Sequence, residues 1–210
     1  MSPVRLAARG ARQRGRPTTR PRSRRRWLWI GAAALLGVGV AIGVSRIDFE
    51  KAIRELTLPL QHDDIIRQQA SDKNLDPALI AAVIYAESRF RDQKSQAGAL
   101  GLMQITPQTA ALIARLSGGT QFVTADLSNP EINIKYGSYF LRYLLNRYQG
   151  NVVAALAAYN AGTGNVDAWG GAGLSVDQIR YAETKAYVDE VLAKRKEYRD
   201  KYAGDLGLSR

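Results

Sequence analysis

The sequence predicts an all-α fold, on three observations. Three prolines each follow a helix-capping residue, in Asp76-Pro77, Thr106-Pro107 and Asn129-Pro130, which is the local chemistry of a helix start. Apolar residues recur at helical spacing from about Leu60 onward. No segment alternates convincingly with period two, as a half-buried strand would, and no internal repeat is visible. The 210 residues leave room for one domain of ordinary size plus attached segments.

Residues 1–26 are rich in Arg, Pro, Ser and Thr and cannot bury a core, so a disordered tail is expected. Trp27 to Val44 is an uncharged run of 18 residues. As a helix it would measure ~27 Å, close to the hydrocarbon thickness of a bilayer. Trp27 and Trp29 stand at its start, where interfacial tryptophans are favoured, and Arg24-Arg25-Arg26 lies just before it. The positive-inside rule then puts the N-terminus in the cytoplasm and everything after Val44 outside. The competing reading is a cleavable signal peptide, with Ala41-Ile42-Gly43 as a weak cleavage candidate in a run longer than such signals usually have. Gly39 and Gly43 form a G-x-x-x-G pair, a pattern common by chance in glycine-rich spans.

Residues 45–60 read as a juxtamembrane linker. Phe49, Ala52, Ile53 and Leu56 are spaced for a short amphipathic helix over Ile47 to Leu58, stopped near Pro59. A folded domain follows over 61–204, and 205–210 reads as a tail. Its first helix is expected from Asp63 to Lys73, with Asn74 as a left-handed stop. Asp76-Pro77 opens a helix to about Arg89, Thr106-Pro107 one to about Leu116, and Asn129-Pro130 a long one to Tyr148. Gly150-Asn151 separates that from a helix through Tyr159. A glycine-rich loop from Gly162 to Gly173 comes next. Ser175-x-x-Gln178 resembles a capping box, and a final helix is expected from about Ala182 to Tyr202.

Composition excludes several chemistries. With no cysteine there is no disulfide framework, thiolate metal site or cysteine nucleophile. A single histidine, His62, is too few for a His-based zinc site, and no G-x-S-x-G-like elbow accompanies it. No metal or cofactor is therefore expected, and any chemistry must rest on carboxylates, tyrosines, lysines or amides. The net charge of +11 suggests nucleic acid until it is mapped. Eleven of the 30 Lys and Arg residues lie in residues 1–46, which hold no acid, so Ile47 to Arg210 balances 19 bases against 19 acids. A phosphate-binding domain should carry its own positive face, and no nucleic-acid partner is expected.

On the helix opened by Pro77, Ile80, Val83 and Ile84 form an apolar stripe, and Glu87 is the next position on that face. Desolvation there would raise its pKa and prepare it to donate a proton near neutral pH. From pattern alone the plainer reading is a buried glutamate satisfied by Lys or Arg, or one that ends the stripe. Gly98-Ala99-Leu100-Gly101-Leu102-Met103-Gln104 reads as a tight loop presenting an amide, or as an ordinary loop-to-helix junction. In Ala158-Tyr159-Asn160-Ala161-Gly162, Asn160 reads as a cap and Tyr159 as core. Tyr181 and Tyr187 are core residues by default.

Taken in order, Glu87-Ser88, Gly101-Leu102-Met103-Gln104, Ala158-Tyr159-Asn160-Ala161-Gly162 and Glu183-Thr184-Lys185-Ala186-Tyr187-Val188 resemble the soluble lytic transglycosylase family. Motifs, order and approximate spacing agree over roughly residues 62–200, and Ser95-x-x-Gly98-Ala99 sits where the family has its active-site serine. The resemblance implies a lysozyme-like helical domain related to goose-type lysozymes. It also implies one catalytic carboxylate where most glycosidases use two. Glu87 would protonate the oxygen between MurNAc and GlcNAc in peptidoglycan, then take a proton as the MurNAc 6-hydroxyl closes a 1,6-anhydro ring. Ser95 and Gln104 would bind N-acetyl groups or hydroxyls, Tyr159 and Asn160 would line the cleft, and Glu183 and Tyr187 would bound its far side. Ser88 would support the helix end.

The sequence departs from the family between Glu87 and Ser95, which is one residue shorter than the common spacing, and Phe90-Arg91-Asp92 lacks the usual Asn-Pro. Asp92 thereby becomes a conceivable second carboxylate, though a turn cap is the plainer role. Two alternatives follow: a lysozyme-type hydrolase on the same fold, and a non-catalytic peptidoglycan-binding envelope protein. The expected partners are glycan strands and the cytoplasmic membrane, the latter through residues 27–44, with the domain on the periplasmic or wall side. Any envelope-assembly protein would dock on the juxtamembrane helix or tail, and nothing in the sequence identifies one.

Overall fold

A computed structural model describes residues 53, 55–118 and 124–208 of the chain. The predicted tail, the predicted span over 27–44 and most of the juxtamembrane segment lie outside them. Among the described residues no helix is long and apolar enough to cross a membrane. All of them belong to one unit, Glu50–Arg210, distinct from Met1–Phe49.

Seven α-helices follow one another among the described residues beyond Leu58: α1 (Asp63–Lys73), α2 (Pro77–Ser88), α3 (Pro107–Leu116), α4 (Pro130–Arg147), α5 (Val152–Ala161), α6 (Thr163–Trp169) and α7 (Ala182–Lys201). Short 3-10 turns occupy Thr124–Ser128, Gly171–Gly173 and Val176–Gln178. Among the described residues, extended pairing is limited to isolated bridges of Leu100 with Lys94 and Ile105.

Each predicted proline start is a capped helix. The Asp76 carboxylate accepts from the Ala78 N–H at 3.0 Å, the Thr106 hydroxyl from Thr109 at 3.1 Å and the Asn129 amide from Glu131 at 2.9 Å. Such caps satisfy amides that the helix itself leaves bare. Asn151 caps α5 through the Ala154 N–H at 3.1 Å, and Asn74 stops α1 at φ 51°.

Three details differ from expectation. The glycine-rich loop contains α6, whose start at Gly162 and stop at Gly170 use glycines as boundaries rather than as flexible coil. The Ser175–Gln178 pair exists, with the Ser175 N–H donating to Gln178 Oε1 at 2.9 Å, but it closes a 3-10 turn ahead of α7. Residues 55–57 are helical as predicted, yet Ile53 and Leu56 of the expected apolar face are exposed.

The core is organised around α2. Ala78 to Ile84 are buried on every side, so the stripe ending at Glu87 is not one face of an amphipathic helix but the emergence of a central one. α7 packs along α2 and α5, while α4 joins α1 to α5. Asp76 adds ion pairs to the α2–α7 contact, with Arg195 at 2.6 Å and Arg199 at 3.0 Å. Near the far end of α7 the Tyr198 and Tyr202 hydroxyls donate to the carbonyls of Pro59 and Leu58, at 2.6 and 2.8 Å. Leu206 is buried at the same end, and Arg67 of α1 donates to the Asp205 carbonyl.

Candidate active site

Glu87 lies in the last turn of α2, where that helix leaves the core. Ser88 is buried and donates to the Ile84 carbonyl at 3.1 Å, so it supports the helix end. The helix stops in two left-handed residues, Arg89 at φ 55° and Phe90 at φ 60°. Phe90 then turns into the core, while Arg89 stacks 4.0 Å from the Tyr85 ring and pairs with Glu190 of α7 at 2.7 Å.

Glu87 is partly buried, and no cation among the described residues neutralises it. Burial pushes its pKa up to about 7, with the Tyr187 hydroxyl pulling in the opposite sense. Desolvation is the larger effect because a carboxylate surrounded by protein loses more hydration than one phenol can return. Tyr187 reaches Glu87 from α7; its buried hydroxyl makes no well-formed hydrogen bond among the described residues. Burial, followed by the charge of Glu87, raises the Tyr187 phenol well above its usual range. Tyr159, at the end of α5, is raised by the same two causes. Its hydroxyl donates to the Met103 carbonyl at 2.9 Å, and its ring rests 5.4 Å from Phe140 of α4.

Met103 sits on the loop that carries the Gly101-Leu102-Met103-Gln104 motif. Leu100 and Ile105 exchange backbone hydrogen bonds of 3.0 Å across that motif, which makes it a tight reverse turn. Gly101 takes φ 74°, and a Cβ added there would meet Asn133 Nδ2 at 2.2 Å. Gln104 is also left-handed, at φ 47°, and its amide donates to the carbonyls of Gln93 (3.0 Å) and Gly101 (2.8 Å). Ser95 Oγ accepts from the Ala99 N–H at 3.0 Å, so it stabilises its own loop.

The structure thus brings Glu87, Tyr159 and Tyr187 together from three helices. Gln104 belongs to the loop that touches Tyr159, and Ser95 to the preceding turn. Asn160 is exposed and accepts from the buried Thr184 hydroxyl at 2.8 Å, tying α5 to α7. Glu183 is exposed one turn before Tyr187 on the same face of α7, and Asp92 is exposed. Tyr181, expected in the core, is instead half exposed with its ring 4.9 Å from Trp169. Unanticipated from the sequence were the bond of Thr184 to Asn160, Asn133, and Gly137, where an added Cβ would strike Met103 Sδ at 2.3 Å.

Residues 64–180, more than half of the chain, match the family described as Transglycosylase SLT domain. The soluble lytic murein transglycosylase of Escherichia coli K12 is 34% identical over 154 residues, which span 69% of this chain and 24% of that protein. The membrane-bound lytic murein transglycosylase C of Actinobacillus pleuropneumoniae serotype 5b is 34% identical over 116 residues, 50% of this chain and 32% of the relative. Among solved structures, an inactive glutamate-to-glutamine mutant of the lytic transglycosylase Slt from Pseudomonas aeruginosa superimposes with a TM-score of 0.66 at 32% identity. That match covers 71% of this chain and 25% of the other. The 70 kDa soluble lytic transglycosylase of Escherichia coli, also solved in complex with bulgecin A, gives the same TM-score over 74% of this chain and 27% of its own. This chain spans about a quarter of the length of these soluble relatives. The family match and the fold similarity agree, and the chain belongs to the transglycosylase SLT domain family, with its lysozyme-like all-helical fold.

Proposed function

We propose that the helical domain is a peptidoglycan lytic transglycosylase with Glu87 as its single acid and base. The observation that carries the reading is the Glu87 carboxyl itself, pushed up to about 7 by burial and not by a neighbouring carboxylate. Such a group donates a proton at neutral pH without a second acid to keep it protonated. In the proposed sequence Glu87 gives its proton to the glycosidic oxygen, the C1–O bond of MurNAc breaks, and an oxocarbenium-like sugar forms. The Glu87 carboxylate then takes the proton of the C6 hydroxyl as that oxygen bonds to C1. The products are a free GlcNAc 4-hydroxyl and a 1,6-anhydro-MurNAc end. No water is consumed, so no second carboxylate is needed to activate one. Acid–base assistance of this kind is worth ~10²–10⁴-fold.

Ser95, Gln104, Asn160 and Glu183 are proposed to contact sugar or stem peptide around the bond, with Tyr159 and Tyr187 flanking the glutamate. The solved relative inactivated by a glutamate-to-glutamine change supports the role of Glu87. Residues 27–44 are proposed as a single membrane span, cytoplasmic before and extracytoplasmic after, supported by their uncharged run behind Arg24-Arg25-Arg26 and by a relative named as membrane-bound.

The test is digestion of purified peptidoglycan by the full chain, with the released muropeptides read by mass spectrometry beside Glu87→Gln. Products ending in 1,6-anhydro-MurNAc, lost by at least ~10²-fold in the variant, are expected. Reducing-end products would identify a lysozyme-type hydrolase instead and direct attention to Asp92. Binding without release would make the domain a wall-binding module.

A further inference from the structure

The Met103 loop is fastened from beneath by a residue that the proposed reaction does not use. Asn133, in the first turn of α4, is completely buried. Its Oδ1 accepts from the Met103 N–H at 2.7 Å, and its Nδ2 donates to the carbonyls of Leu100 and Leu127, both at 2.8 Å. One amide therefore locks the motif loop, the Thr124–Ser128 turn and α4 together. Gly101 has no Cβ because Asn133 fills that space, and Gly137, one turn later on α4, leaves room for Met103.

The other polar group of Met103 faces the site. Asn133 holds its N–H, while its carbonyl accepts the Tyr159 proton at 2.9 Å. A phenol has one proton to donate. Given to Met103, that proton is unavailable to Glu87, although the two side chains are close enough to feel each other's charge. Among the described residues, the titratable groups facing Glu87 are Tyr159 from α5 and Tyr187 from α7, with Glu190 behind Tyr187 and paired to Arg89 at the end of α2. The loop over residues 98–104 presents none.

Resting on the acid role proposed for Glu87, we infer that Asn133 is its positioning residue: by fixing Met103 it keeps the Tyr159 proton on the Met103 carbonyl and off the Glu87 carboxylate. Tyr187 is then the phenol left to face that carboxylate. A second donor would stabilise the charged form and make Glu87 a poorer proton donor at neutral pH. The loop motif and the helix-end tyrosine are thereby coupled through one buried amide.

The full 210-residue chain, carbon-13 labelled at glutamate carboxyls, allows Glu87 to be titrated by NMR, with Glu87→Gln identifying its signal. Asn133→Ala is expected to move that titration to lower pH by about half a unit or more, carrying the alkaline limb of the rate profile with it. Tyr159→Phe alone is expected to leave the titration where it was, and in that background Asn133→Ala should no longer move it. A folded Asn133→Ala with an unchanged titration would overturn the inference, as would an equal shift in both backgrounds. Tyr159→Phe decides the matter even if Asn133→Ala does not fold, because a rise in the Glu87 titration would show that Tyr159 already donates to it. A merely structural Asn133 would lower melting temperature without touching these titrations. Should the wild-type chain titrate as described yet release no muropeptides, the proposed activity fails while the coupling keeps its own readout.

Discussion

A carboxyl held at about 7 is near half protonation in neutral solution, which suits the proposed role of giving one proton and taking another. The same placement weakens the fold. An unfolded glutamate titrates at about 4.5, so between there and 7 the native chain binds more protons than the unfolded one, and stability falls as pH rises. Above 7 the penalty is complete; below the unfolded value it vanishes. Glu87→Gln is therefore expected to be more stable than wild type by about 2 kcal/mol at pH 8 and to lose that advantage by pH 4, as melting curves at the two pH values would show. Tyr187→Phe removes the group that lowers Glu87, so it should carry the alkaline limb of the proposed activity to higher pH. Glu87, Tyr159 and Tyr187 were legible because their motifs occur in a recognisable order. Asn133 was not, since a lone asparagine three residues after a proline reads as solvent-facing. Its signal was its position on one stripe with Gly137, Phe140, Leu141 and Leu144, where a polar residue must find buried partners.

Helix boundaries were read most faithfully where the signal is local. Asp76, Thr106 and Asn129 cap with their own side chains ahead of proline, and no distant contact is needed to recognise them. The helix α6 escaped because Gly162, Gly164 and Gly170 crowd seven residues whose order comes from packing Val166 and Trp169 against their neighbours. Tyr181 was misplaced for the converse reason: an aromatic beside a helix start reads as core, but its ring only leans on Trp169. Asp76 serves α2 twice, as its cap and as the carboxylate between Arg195 and Arg199 of α7. Asp76→Ala should cost about 1–3 kcal/mol in chemical denaturation, through the lost cap and two guanidiniums left without their partner. Asp76→Asn, which can still cap, is expected to lose less than half of that.

Across the molecule, the 20-residue α7 joins the candidate site to the segment that enters the domain. Tyr187 near its start meets Glu87, whereas Tyr198 and Tyr202 near its finish grip Pro59 and Leu58. Removing both hydroxyls in Tyr198→Phe/Tyr202→Phe leaves the carbonyls of those residues unsatisfied, a loss of about 2 kcal/mol. Limited proteolysis should then cut near residues 55–61 while the activity proposed for Glu87 persists. None of this long-range stitching was visible in sequence, because the partners lie 139 and 144 positions apart. At 1.5 Å per residue, Tyr202 stands about 22 Å along the helix from Tyr187. The helix acts as a boom, moored where the chain enters the domain and overhanging the glutamate at its other tip. A tag spliced after residue 208 would therefore hang from the moored end, a boom's length clear of Glu87.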